Sequence, residues 1–374
     1  MIFLAFIILI IYSFFTHWLK LGLDKNVSNK KERTTNHDIE KSDLLLSIIV
    51  PLRNESKRIA SLLTALKTQT LSKSKYEIIF IDDQSDDNTN QLIQDFIGVN
   101  SDLNAHLYQV SALLSSSKKK AIDLGISKSK GKYIVQTDGD CKPNHKWLSS
   151  IYGIVLKNNC DLLILPVFIE KDNNYISSFD SMEYASLQAI GLGMASQEYP
   201  IICSASNLVY NRSFYESVKM NRSDENISSG DDIFLLQEAI SGKYKIESFI
   251  NEDVTIITPS VSDYPSFINQ RKRWVSKNTS IKDPVYQSVA ILGLITNIIL
   301  VIAIIIKPKY GSSLILIKLI ADYLLFKKYY LLINQPLSGF SFLINSILYP
   351  FYLIYIVIAS YSTKNSWKGR NVKT

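Results

Sequence analysis

Apolar residues along this 374-residue chain fall into long runs near the two ends and short runs between them. Residues 2–15 are almost wholly apolar, and Trp18 and Leu19 extend the run towards a spanning length; 285–306 and 340–359 are each long enough to cross a bilayer. The stretch 314–326 is shorter, and Lys318 and Asp322 interrupt it at a helical spacing that lets them neutralise each other. The short runs have a different rhythm. Residues 44–50 are nearly continuously apolar, as a strand buried on both faces is, and the run stops at Pro51-Leu52-Arg53-Asn54-Glu55-Ser56. A helical pattern follows through Ile59, Leu62, Leu63 and Leu66. Residues 76–81 repeat the design, ending in Asp82-Asp83-Gln84-Ser85-Asp86-Asp87-Asn88-Thr89 before a helix with Leu92, Ile93 and Phe96. A third strand is expected at 105–110, another helix from Lys118, and a further strand at 133–137.

Strands that alternate with helices predict an α/β fold with a doubly wound, mostly parallel sheet and helices on both faces. Ligands of such sheets bind outside the carboxyl ends of the strands. Three strand ends loaded with Arg, Asn, Glu and Asp therefore point to one polar site. No G-x-G-x-x-G follows the first strand and no Walker-type loop appears, which disfavours a dinucleotide.

The last of these strand ends reads Thr137-Asp138-Gly139-Asp140-Cys141. Two carboxylates with one small residue between them are aimed to the same side of an extended segment. That suits a hard divalent cation, Mg²⁺ or Mn²⁺, which takes oxygen ligands and shares them with substrate phosphates. The reading is a metal-bound nucleotide sugar held by Asp140 and Asp138; a surface turn is the plainer alternative.

Charge changes the picture only in part. The net charge is +7, with Lys and Arg crowded at 20–33, 118–132 and 268–282 and again after 361. These clusters lie beside apolar runs or phosphate-type motifs, and no nucleic-acid motif accompanies them, so a nucleic-acid partner is not expected. The three cysteines, Cys141, Cys160 and Cys203, form no close pair and no metal spacing, which fits a reducing compartment. At the N-terminus the positive charge follows the apolar run and no small-residue cleavage site is evident, which favours an anchor over a signal peptide. The positive-inside rule then puts residues 20–284 in the cytosol of a multi-pass membrane protein. If all three C-terminal segments cross, the basic tail (Lys364, Lys368, Arg370, Lys373) ends outside, against that rule; one segment, first of all the middle one, is therefore expected to be re-entrant or interfacial. The expected organisation is an anchor at 1–22, a polar linker at 23–43, a cytosolic domain at 44–284, a membrane region of two or three segments at 285–360 and a basic tail at 361–374.

Taken in order, the segments 47–55, 82–89, 118–121, 138–140, 230–232 and 270–274 resemble glycosyltransferase family 2. The resemblance covers roughly residues 44–280 and implies the GT-A fold and a nucleotide-diphosphate sugar donor, commonly UDP-linked. By that resemblance Pro51, Arg53, Asn54 and Glu55 form the first nucleotide-binding segment, Asp83 reads the nucleobase, and Lys118 meets the diphosphate. Asp140 is the direct metal ligand and Asp138 a ribose or sugar contact that also serves the metal. Gly139 stands where the family often has alanine. The small residues of Cys203-Ser204-Ala205-Ser206-Asn207 lie near the donor sugar. Asp232 matches the catalytic base, with Asp231 in place of the usual glutamate. Gln270, Arg273 and Trp274 match a Q-x-x-R-W pattern, Arg273 steadying the departing diphosphate and Trp274 packing on the acceptor.

Each segment also has a structural reading: helix N-termini at 54–56 and 230–232, an Asx turn after Asp82, a solvated basic face at 118–120 and an interfacial helix at 264–274. The expected activity is inverting transfer to a hydroxyl of a lipid or lipid-linked glycan at the cell envelope. Processive polysaccharide synthesis with export is the alternative that Q-x-x-R-W favours. A tethered nucleotide-sugar binding protein without catalysis and a membrane nucleotidyltransferase are two further alternatives.

Overall fold

The computed structural model describes residues 2–28, 36–111, 117–219, 231–276, 281, 283–360, 365–367 and 370–372. The chain forms two compact units: Ser28–Phe168 with Ile202–Pro259, and Met1–Val27 with Ile169–Ile201 and Ser260–Thr374.

The first of these units is built on strands β1 (Leu46–Leu52), β2 (Tyr76–Asp82), β3 (Ala105–Gln109), β4 (Tyr133–Gln136), β5 (Lys142–Pro143), β6 (Leu162–Ile164), β7 (Val167–Glu170), β8 (Leu208–Asn211), β9 (Ile246–Ser248) and β10 (Ile256–Pro259). Among the described residues, seven of them make one sheet in the order β3-β2-β1-β4-β8-β6-β9. Neighbours from β3 to β4 run parallel, as the apolar runs predict. β8 runs antiparallel to both β4 and β6, so the sheet is mixed rather than parallel throughout. β5 and β10 pair antiparallel in a smaller sheet, Ile256 opposite Pro143.

Side-chain alternation gives the large sheet two buried faces. Ile48, Val50, Ile78 and Phe80 join Leu62, Leu66, Trp147 and Ile151, from helices Ala60–Lys67 and Trp147–Asn158, in one core. On the opposite face Ile49 and Ile81 lie under Gly125 of helix Lys118–Lys128, close enough that a Cβ there would stand 2.8 Å from Ile49.

The strand order reverses between β1 and β4, the place where doubly wound sheets open a crevice. Pairing of β1 with β4 ends at Ile49–Gln136, while β1 continues to Leu52 beside β2 alone. Ile49 offers its carbonyl to Thr137 of β4's side, so the backbone of residue 51, two on, faces the same way, past the end of β4. Residue 51 is proline, and its missing N–H costs no ladder bond there.

The other unit is helical. Among the described residues three helices are long and apolar enough to cross a membrane: Ile2–Asn26, Pro284–Ile306 and Gly339–Ser360. Pro308–Leu332 is a continuous helix that falls short of that apolarity; it buries Lys318 against Asp322 at 2.5 Å, the pairing read from their spacing. Tyr12 donates to the same Asp322 at 2.7 Å. Helices Tyr175–Ala195 and Tyr264–Ser276 complete the unit. Small residues allow close approach: a Cβ on Gly22 would stand 2.5 Å from the Gly193 carbonyl oxygen.

Candidate active site

The loops after β1 and β2 are knitted into one piece. Asn54 and Gln84 both take the left-handed conformation, φ 52° and 58°. The Asn54 N–H donates to Ser85 Oγ at 3.0 Å, and Asn54 Oδ1 accepts from the Asp86 N–H at 2.9 Å. The Glu55 N–H reaches Thr89 Oγ1 at 2.8 Å and the Ser56 N–H reaches Asp87 at 3.1 Å. Desolvation raises Asp87, but hydrogen bonds from Ser56 and Thr89 outweigh it and hold the carboxyl at about 2. Arg53 Nη1 donates to the carbonyls of Asp83 at 2.6 Å and Gln84 at 3.1 Å, bracing the second loop from the first. Asp82 accepts from the Ser85 N–H at 3.1 Å, the Asx-turn role, and Asp83 is buried at the same strand end.

The loop after β4 joins them. A Cβ on Gly139 would lie 2.4 Å from Leu52 and 3.0 Å from the Glu55 side chain, so the glycine lets the Asp138–Asp140 turn close onto the end of β1. Arg58 links the two ends: 3.0 Å to Glu55 and 3.6 Å to Asp140. Lys118, at the start of its helix, pairs with Asp138 at 2.5 Å, and Ser206 Oγ donates to the other Asp138 oxygen at 2.7 Å. The Ser117 side chain caps that helix by accepting from the Lys120 N–H. Asp138 and Asp140 keep about a quarter of their side chains exposed.

β8 runs against β4, so the residues before it, rather than after it, reach this edge of the sheet. Asn207 is held by Trp147 Nε1 at 3.1 Å and donates to the carbonyls of Pro166 and Val254. Next to it the Ala205 N–H donates to Asp232 Oδ2 at 3.0 Å, and Cys203 Sγ donates to the Asp232 carbonyl at 3.3 Å. Asp232 sits in the first turn of helix Asp231–Ser241, where backbone N–H groups favour an anion. A chain of hydrogen bonds and ion pairs thus ties Lys118, Asp138 and Ser206, with Ala205 and Asp232 one residue on. Ser228, Ser229 and Gly230 lie outside the described residues, as do the side chain of Asp231 and, in the basic tail at 361–374, residues 361–364, 368–369 and 373–374.

Gln270, Arg273 and Trp274 lie on helix Tyr264–Ser276 of the helical unit. Its hub is Arg271, a residue the motif passes over. Arg271 is fully buried, donating from Nη2 to Asp180 at 2.5 Å and from Nε to Glu183 at 2.9 Å. Its guanidinium lies 4.6 Å from the Phe267 ring centre and 4.3 Å from that of Trp274, and Gln270 accepts from Nη1. Desolvation disfavours this cation, yet Glu183 and Asp180 raise it above the usual arginine range. Trp274 packs against Tyr184, the rings tilted by 46° with centres 5.7 Å apart. Arg273 is half-buried, its Nε has no hydrogen-bond partner among the described residues, and burial lowers it to about 10, which leaves it a cation at neutral pH.

Arg58 joins the site without having been singled out; Ser206 belongs to the segment expected near the donor sugar, but its bond to Asp138 was not expected. Arg58 had a signal, its spacing of three from Glu55. The role of Ser206 depends on the reversed β8, which no local pattern reveals.

Comparison with known proteins follows the same lines. Residues 47–218 match the family described as Glycosyl transferase family 2. The chain is 30% identical over 122 residues to Glycosyltransferase AglE of Haloferax volcanii, covering 32% of this chain and 38% of that protein. It is 33% identical over 121 residues to a dolichyl-phosphate beta-glucosyltransferase of Dictyostelium discoideum, covering 31% of this chain and 36% of that one. The chain thus matches little more than a third of the length of these curated relatives. A mannosyltransferase from Pyrobaculum calidifontis, PcManGT, shares the fold at a TM-score of 0.56 and 16% identity, covering 94% of this chain and 99% of that one. Residues 47–218, rather less than half of the chain, are thus similar to glycosyltransferase family 2, and they lie on a mixed sheet of the GT-A kind.

Proposed function

We propose that the protein is a membrane-bound inverting glycosyltransferase. It moves a sugar from a nucleotide diphosphate to a hydroxyl of a lipid or lipid-linked acceptor. The observation that carries this reading is the meeting of Arg53, Glu55, Asp83, Asp138, Asp140, Lys118 and Asp232 at the carboxyl edge of one sheet. The names of the Haloferax and Dictyostelium relatives support the transfer of sugars, and the second supports a lipid acceptor. PcManGT was solved with GDP-Man and Mn²⁺, a donor and ion of the class proposed here.

In this reading Asp83 and the loop 51–55 take the nucleoside, and Lys118 and Arg58 offer positive charge to the diphosphate. Asp232 Oδ2 is oriented by the Ala205 N–H, and the carboxylate takes a proton from the acceptor hydroxyl. That oxygen attacks the anomeric carbon from the face opposite the nucleotide, and the bond to the diphosphate breaks, its electrons leaving with the nucleotide.

The donor set suits a divalent cation. Among the described residues no group of three or more His, Cys, Asp and Glu gathers, but Mg²⁺ and Mn²⁺ sites are commonly one or two carboxylates completed by substrate phosphates and water. Asp140, with Asp138, would hold the ion, which when bound neutralises diphosphate charge. Arg273 and Trp274 receive their leaving-group and acceptor roles from the resemblance alone. Single transfer is favoured over processive synthesis with export because the three candidate spans among the described residues offer little from which to build a channel.

The test is donor hydrolysis and transfer by the purified full chain, screened across nucleotide sugars with and without Mn²⁺. One donor should be turned over in a cation-dependent way, and Asp232→Asn should abolish turnover while donor binding persists. Turnover of no donor, or normal turnover by Asp232→Asn, overturns the reading.

A further inference from the structure

Within the helical unit a partly open cavity of about 110 Å³ is walled by all three apolar helices and by helices Tyr175–Ala195 and Pro308–Leu332. A single buried water requires roughly 10–15 Å³, so the space takes several waters or one polyol-sized group. Two asparagines face it, Asn297 and Asn345, both at least nine-tenths buried. Each commits its amide nitrogen to the protein. Asn297 Nδ2 donates to the Gly293 carbonyl at 2.7 Å, and Asn345 Nδ2 to the Ser178 carbonyl at 3.3 Å. Each leaves its Oδ1 buried with no hydrogen-bond partner among the described residues. A buried acceptor left unmatched costs about 1–3 kcal/mol, so two facing one cavity mark a place where donors belong.

The charges around the cavity say which donors. Lys318 pairs with Asp322 at 2.5 Å, Asp322 also accepts from Tyr12, and Glu183 is bound to Arg271. No cation among these is left over for a phosphate, and an added anion would face two carboxylates in an apolar surround. The remaining lining is mostly apolar, including Phe15, Leu19, Leu325 and Leu353. Two unmatched acceptors in a wall that is otherwise mostly apolar fit an amphiphile.

We propose that this cavity binds a neutral lipid through the hydroxyls of its head group, which donate to Asn297 Oδ1 and Asn345 Oδ1. Lipid binding here and donor turnover are separate measurements and fail separately.

The full chain, purified in detergent, is titrated with monooleoylglycerol, which has two free hydroxyls, and with monooleoyl lysophosphatidate, and bound lipid is read by native mass spectrometry. The wild type should retain monooleoylglycerol in preference to lysophosphatidate. Asn297→Leu and Asn345→Leu should each weaken that retention by about tenfold. Gly293→Leu guards against misfolding, because position 293 lines the cavity and a Cβ there meets nothing within 4 Å. It should block the lipid without lowering the thermal midpoint, since glycine inside a helix is replaced by a better helix former. Equal retention of the two lipids, retention unaffected by Gly293→Leu, or no lipid retained at all, leaving a cavity filled by water alone, each overturns the proposal.

Discussion

The guanidinium of Arg58 stands 3.6 Å from the Asp140 carboxylate, and the same group holds Glu55 at 3.0 Å. One side chain therefore bridges the loop after β1 and the turn after β4. Arg58→Ala should raise the dissociation constant for the nucleotide-sugar donor by about two- to fivefold, the range for a partly exposed ion pair, and less at high salt. Titration calorimetry at two ionic strengths checks both the size and the salt dependence.

Asp232→Asn keeps an oxygen for the Ala205 N–H but removes the base. Turnover should fall by about 10²–10⁴-fold with donor affinity almost unchanged. Single-turnover kinetics beside equilibrium binding separates the two quantities, and a matching loss of binding would make Asp232 a donor contact instead.

Arg271 neutralises Asp180 and Glu183, and all three are buried. Arg271→Met should destabilise the protein by on the order of 3–5 kcal/mol, because two carboxylates are left without their cation. Adding Asp180→Asn and Glu183→Gln should recover much of that loss. Thermal midpoints in one detergent, for the single and the triple variant, decide it.

Asp87 is held at about 2 against an ordinary 3.8. A carboxyl lowered in the folded state adds stability above its unfolded value and loses it as pH falls through the folded one. The window is thus between about 3.8 and about 2. Midpoints measured down the pH scale should drop more steeply there for the wild type than for Asp87→Asn, which should already be weaker at neutral pH.

Much of this was legible along the chain. Continuous apolar runs gave β1, β2 and β4, because strands covered on both faces carry no polar alternation. Helical spacing gave the Lys318–Asp322 pair. The polar strand ends gave the residues of the candidate site, which gather on one edge at the switch point between β1 and β4. What escaped depends on tertiary direction. Ser206 reaches Asp138 only because β8 enters the sheet reversed. Arg271 rather than Arg273 became the hub of its helix, although Phe267, Arg271 and Trp274 recur at four- and three-residue intervals and so share a face. A motif that names Arg273 draws the eye away from that periodicity.

Proline at 51 has one more consequence. Any other residue there would present an amide that a lengthened β4 could capture, zipping the two strands shut towards their tips. With no such hydrogen to offer, residue 51 gives that extension no ladder bond to form. The tip of β1 is left to the turn that carries Asp138 and Asp140, which packs there through Gly139 instead of continuing as a strand.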